Sequence, residues 1–128
     1  MSRIQQGILN AMSEMNVAED GELSAQFLFS KEFVGFQGHF KNNPILPGIC
    51  KIQAALTLCE KARAQKLRLA EVTQAKFFLP VTCDQKISLH CRAKLTPEGA
   101  LSVRALVKRN EEKIAMLQLT FLILQAQS

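Results

Sequence analysis

Tryptophan and tyrosine are absent, and all eight aromatic residues are phenylalanine. Any aromatic surface is therefore wholly apolar, with no hydroxyl or indole donor to place. That suits a dry acyl pocket and equally suits an ordinary core. No stretch approaches the ~20 apolar residues a membrane-spanning helix needs. The first fifteen residues carry Glu14 and no uninterrupted apolar run, so they do not read as a secretion signal. No block of five like charges occurs, and basic residues are not interleaved with aromatics, which argues against a nucleic-acid partner. The four cysteines, Cys50, Cys59, Cys83 and Cys91, show no C-x-x-C spacing and no nearby histidine pair, so no metal site is expected. They read as buried thiols in a reducing compartment, and a cytoplasmic protein is expected. Cys50, close to a helix start, leaves open a second reading as a reactive thiol.

What is present is a chain of 128 residues, a length that predicts a single domain over 1–128. Hydrophobic residues make up 48% of it, too many for a disordered chain. The net charge of +5 sets up a mild positive field, suited to an acidic protein or a phosphate-bearing carrier, although solvated surface charge gives the same count.

Ile4, Ile8, Ala11, Met12 and Met15 recur at helical spacing and predict an amphipathic helix over about 3–16. Leu23, Ala25, Phe27 and Phe29 alternate with polar residues, the pattern of a half-buried strand. Residues 31–46 are broken by Gly35, Gly38 and Pro44 and read as loop. From Gly48 to about Arg68 runs a helix with apolar residues on nearly every side, so other structure must wrap it. Beyond residue 70 the chain reads as strands. Ala75, Phe77 and Leu79 share one face. Ile87 to Leu95, Leu101 to Val107 and Ala115 to Ile123 alternate likewise, with turns at Thr96–Gly99 and Asn110–Glu112. Antiparallel strands with one apolar face need a cover, and the only long apolar helix supplies it. The predicted class is α+β: a curved antiparallel sheet around one long central helix, plus a short N-terminal helix.

The segment His39-Phe40-Lys41-Asn42-Asn43-Pro44-Ile45-Leu46-Pro47-Gly48 carries the chemistry. It sets a histidine ahead of a rigid double-proline turn that opens the central helix. A base beside a helix N-terminus, where backbone N–H groups lack partners, can deprotonate carbon next to a carbonyl. The segment resembles the His-Phe-Pro-x-x-Pro-x-x-Pro-Gly stretch of the 3-hydroxyacyl-acyl carrier protein dehydratases of the FabA/FabZ type. A softer match follows at Ala75-Lys76-Phe77-Phe78-Leu79-Pro80-Val81 with Asp84.

The resemblance implies a hotdog fold and reversible loss of water from 3-hydroxyacyl thioesters of acyl carrier protein or coenzyme A, in fatty-acid or polyketide-type metabolism. It implies no cofactor. It maps the catalytic histidine to His39 and the oxyanion glycine to Gly48, with Ile49, Phe40 and Pro47 lining the substrate. It also implies a dimer, homodimeric or with a related hotdog subunit, in which two chains share each site. The family's helix carboxylate maps to Gln53, which has no proton to give near neutral pH. Three readings of Gln53 stay open: a core amide, a substrate-orienting group, or the mark of lost activity. Lys41 and Asn42 also replace the family's Pro-Gly. His39 has an alternative as a brace of the turn, and His90, on the polar face of a strand, is expected outside the site. Glu60 lies two helical turns beyond Gln53, about 10 Å on, too far to replace the acid. The alternatives to a dehydratase are a hotdog thioesterase and a non-catalytic thioester-binding subunit.

Overall fold

The computed structural model describes residues 2–36 and 45–125. Its elements are α1 (Arg3–Ala11), β1 (Met12–Val17), β2 (Leu23–Leu28), a 3-10 turn (Val34–Phe36), α2 (Gly48–Arg63), β3 (Leu67–Phe77), β4 (Lys86–Leu95), β5 (Leu101–Arg109) and β6 (Glu112–Ile123). The six strands form one sheet in the order β1-β2-β4-β5-β6-β3, with every neighbouring pair antiparallel. The predicted arrangement of a sheet around a central helix is what the chain adopts.

The core follows from alternation. Phe27 pairs with Ile87, Ala25 with Leu89 and Leu23 with Cys91 across β2 and β4. Leu101, Val103 and Ala105 of β5 meet Phe121, Leu119 and Leu117 of β6. All these side chains are buried, and they face the apolar surface of α2, where Ile52, Ala55, Leu56, Leu58 and Cys59 are buried as well. Because a strand alternates with period two, slipping any pair by one residue would turn this whole face to water. The β5–β6 hairpin turns with Asn110 at φ 55°, and the β4–β5 turn has Gly99 at φ 85°, positions where asparagine and glycine carry little strain.

Three expectations are corrected. The first helix stops at Ala11, not residue 16, because residues 12–17 pair with β2: Met12 lies opposite Phe27 and Val17 opposite Leu23. The spacing of Met12 and Met15 satisfied a helix, but pairing with β2 decided the conformation. A bulge between Ser13 and Asn16, with Glu14 at φ 51°, takes up the mismatch. The short α1 is closed by a capping box, with Gln5 N–H on Ser2 Oγ at 3.1 Å and Ser2 N–H on Gln5 Oε1 at 3.0 Å. The central helix ends at Arg63, not near 68. Ala64 turns left-handed, and Glu60 Oε2 accepts the Leu67 N–H at 2.9 Å, turning the chain into β3.

The third correction concerns β3. Of the face read from Ala75, Phe77 and Leu79, only Leu79 packs against the core: every residue from Ala70 to Phe78 is exposed. β3 is an edge strand, bonded to β6 on one side only and bulged twice against it. It extends past the helix that covers its neighbours.

Leu58 is fully buried where α2 meets the sheet. Leu58→Ala is expected to cost about 2–5 kcal/mol in urea unfolding, because the rigid surroundings cannot close the cavity.

Candidate functional site around the start of the central helix

The start of α2 is fixed by the chain before it. Leu46 N–H donates to Val81 C=O at 2.7 Å, and Ile45 pairs with Thr82. This short ladder ties the helix entry to the loop between β3 and β4. The loop is itself clamped: Arg109 donates to Pro80 C=O and to Gln85 Oε1, each at 2.9 Å, and Gln85 Oε1 also accepts the Thr82 N–H at 3.0 Å.

Pro47 occupies the N-cap with no side chain to cap the helix, and no acidic residue lies in the first turn. Cys50 N–H bonds back to Pro47 C=O at 3.0 Å. The amides of Gly48 and Ile49 have no intrahelical acceptor and sit at the positive end of the helix dipole. Phe77, from the end of β3, covers Gly48 so closely that a Cβ there would lie 2.8 Å from the ring's Cζ. The ring is half exposed.

Two further side chains on α2 stand out. Gln53 is half-buried, and its Oε1 is buried without a hydrogen-bond partner among the described residues. It follows Gly48 by five residues, about 7.5 Å along the axis. Lys51, which nothing in the sequence analysis singled out, is just 4% exposed. Its Nζ donates to Leu46 C=O at 3.2 Å and lies 5.4 Å from the centre of the Phe77 ring. Burial pushes its pKa below the usual lysine value. The only advance hint was a lysine at a position surrounded by apolar neighbours in a helix that has to be wrapped.

Of the residues singled out by sequence, Pro47, Gly48 and Ile49 therefore lie together, with Gln53 on the same helix. His39 and Phe40 lie outside the described residues. Cys50 is buried, and desolvation raises its thiol pKa, which opposes the reactive reading. Cys59 and Cys91 are fully buried, and their mutual hydrogen bond together with burial raises Cys91 well above the ordinary thiol range. Glu60 is engaged by the Leu67 amide. His90 lies on the sheet beside Ser88, with Glu22 at 4.0 Å. Asp84 is exposed at φ 60°, its N–H on Phe29 C=O at 2.7 Å. A groove of about 570 Å³, lined in part by Leu9, Thr57, Glu60 and Leu124, opens toward the far end of α2, away from Gly48.

The pKa of Lys51 gives a signed prediction. A lysine depressed in the folded state binds fewer protons there than when unfolded, so it penalises folding below its lowered pKa. The penalty fades as pH rises toward the ordinary lysine value of about 10.4. Lys51→Met is expected to gain on the order of 1 kcal/mol in urea unfolding at pH 7, with the gap narrowing by pH 10.

Residues 14–116 match the family model of the ApeI-like dehydratases, described as ApeI dehydratase. The chain is 27% identical over 122 residues to the 3-hydroxyacyl-acyl carrier protein dehydratase FabZ of Lactobacillus helveticus, covering 90% of this chain and 81% of that protein. Its fold is similar to the dehydratase heterocomplex ApeI:P from Xenorhabdus doucetiae, with TM-score 0.68, 16% identity, and coverage of 87% of this chain and 96% of that one. It is similar also to a hypothetical thioesterase with coenzyme A from Streptococcus pneumoniae, with TM-score 0.69, 6% identity, and coverage of 98% and 97%. A six-stranded antiparallel sheet around a central helix, matched by a dehydratase family model over most of its length, places this hotdog protein in the ApeI-like dehydratase family.

Proposed function

We propose that the chain is a dehydratase of 3-hydroxyacyl thioesters, carried by acyl carrier protein or coenzyme A, that works slowly for want of a helix carboxylate. The observation that carries this reading is the pairing, on one helix, of Gly48 and Ile49 amides that lack an intrahelical acceptor with a buried Gln53 Oε1 that has no partner among the described residues. In this scheme the thioester oxygen sits on the Gly48 and Ile49 N–H groups, and Pro47 and Phe40 line the acyl group. His39 takes the C2 proton as the carbonyl oxygen gains charge. The C3–O bond then breaks, and the hydroxyl leaves as water. Gln53 Oε1 accepts a hydrogen bond from the 3-hydroxyl and so orients it, but the departing oxygen takes its proton from water, and protonated His39 returns its proton to the hydroxide left behind. Lack of a positioned acid costs about 10²–10⁴ in rate.

We further propose that residues 1–128 form one domain, that it acts in the cytoplasm, and that it pairs with a second copy or a related hotdog subunit. The support for pairing is β3: its outer edge is open and carries exposed Val72, Phe77 and Phe78, a combination that other chains readily cover. Phe77 also covers Gly48, so pairing along β3 brings the second chain to the site.

The experiment is product analysis by mass spectrometry with 3-hydroxyacyl thioesters of several lengths. An enoyl thioester is expected, lost in His39→Ala, with Gln53→Glu raising its rate at least 10²-fold. Free acid and thiol would instead establish the thioesterase reading, which the thioesterase-like fold keeps in play. Unchanged substrate throughout would count against both enzyme readings.

A further inference from the structure

Among the described residues, Lys51 is the only buried polar or charged side chain. Its position explains where the charge goes. Helical side chains lean toward the N-terminus, and a lysine on the first turn thus returns its amine to the helix entry. The bond to Leu46 C=O, two residues before Gly48, places it there. The Phe77 ring has Nζ at 5.4 Å from its centre and packs against Gly48 as well, so the amine and the open amides share one aromatic neighbour.

No acidic side chain balances this charge. No ion pair joins Lys51 to a carboxylate among the described residues. The remaining positions, 1, 37–44 and 126–128, contain no aspartate or glutamate, so all the acidic side chains are accounted for and none meets it. The helix adds to the imbalance. A cation belongs at a helix C-terminus, where α2 has Lys61 and Arg63, and is repelled at the start. One carbonyl bond and one ring face leave two ammonium donors without partners among the described residues. A methionine of similar shape would pack here without any of these costs.

An uncompensated cation beside open amides calls for an anion. The neighbours of the amine, Leu46 and Phe77, are apolar residues, so the anionic group belongs on an apolar tail. We propose that Lys51 makes the start of α2 a binding site for an acyl group bearing negative charge on its head oxygens. This rests on the acyl placement at Gly48 given above. Such charge has two sources: the carboxylate of a free acyl acid, and the enolate oxygen of a thioester that has lost its C2 proton. The shared feature is an anionic acyl oxygen held between the backbone amides and the ammonium.

The test compares isosteric ligands that differ in charge. Binding of butanoate, octanoate and dodecanoate is measured by calorimetry against the matching primary amides, with the wild type, K51R, K51M and K51Q. The wild type is expected to bind at least one carboxylate tenfold or more tightly than its amide. K51R is expected to keep part of that preference. K51M and K51Q are expected to lose it while retaining the thermal unfolding midpoint of the wild type or exceeding it. Equal binding of acid and amide by the wild type, no carboxylate binding at all, or a preference surviving in K51M would each overturn the proposal. K51Q matters because an amide can still donate to Leu46 C=O, so a preference retained there would mean the hydrogen bond, not the charge, is what counts. Turnover distinguishes the two sources. With a 3-hydroxyacyl thioester, a fall in kcat at unchanged KM in K51M identifies the enolate as the occupant, whereas a rise in the inhibition constant of free acid, tenfold or more over that of the wild type, identifies the carboxylate. The binding measurement needs no turnover, so failure of the dehydratase reading and failure of this one appear in separate assays.

Discussion

Burial of α2 against the concave face of the sheet is the constraint on which everything else depends. Over its first three turns the helix is buried except along a stripe of Gly48, Ile49, Gln53 and Thr57, and strands β2, β4, β5 and β6 each turn one apolar face toward it. Each element therefore stabilises the other, and neither forms a core alone. The same constraint fixes the site. A helix held in the core delivers its N-terminal amides to one place, and the Leu46–Val81 and Ile45–Thr82 bonds settle the angle at which the chain enters it.

The site is also where local consistency breaks down, which is common at functional positions. The helix begins without a capping side chain or an acidic first turn, has a cation where the dipole opposes one, and carries a buried amide oxygen with no partner among the described residues. Elsewhere the chain does the opposite: α1 is closed by a full capping box and α2 ends with basic residues where they are favoured. Neglect of ordinary helix chemistry is thus confined to one end of one helix.

Much of this was legible from the residues. The alternation through β4, β5 and β6 placed their core faces because each strand is buried on one side only, so period two is visible; Leu95, at the end of β4, is the exception and is exposed. The wrapped helix was legible because apolar residues surround it. The end of α1 was not, since Met12 and Met15 fit a helical stripe and nothing local reveals that residues 12–17 pair with β2. The exposure of β3 was hidden for a related reason: a strand at a sheet edge that carries Val72 and Phe77 has the composition of core. Pro47, Gly48 and Ile49 were marked by motif, but Lys51 was not. Burial of a charge depends on what packs around it, and one lysine among sixteen basic residues carries no local signature.

The Arg109 fork has a consequence for how such a chain can drift over generations. It sits at the end of β5, beside a hairpin turn, where substitutions ordinarily pass unnoticed. Yet its guanidinium holds Pro80 C=O, Gln85 and Glu112 at once, and the loop it grips is the one that steers the entry to α2. A lysine retains the charge but not the planar, multiply donating geometry. A change at this remote position therefore reaches the helix entry through the loop, and a change at Gln85 removes one of the acceptors that Arg109 holds.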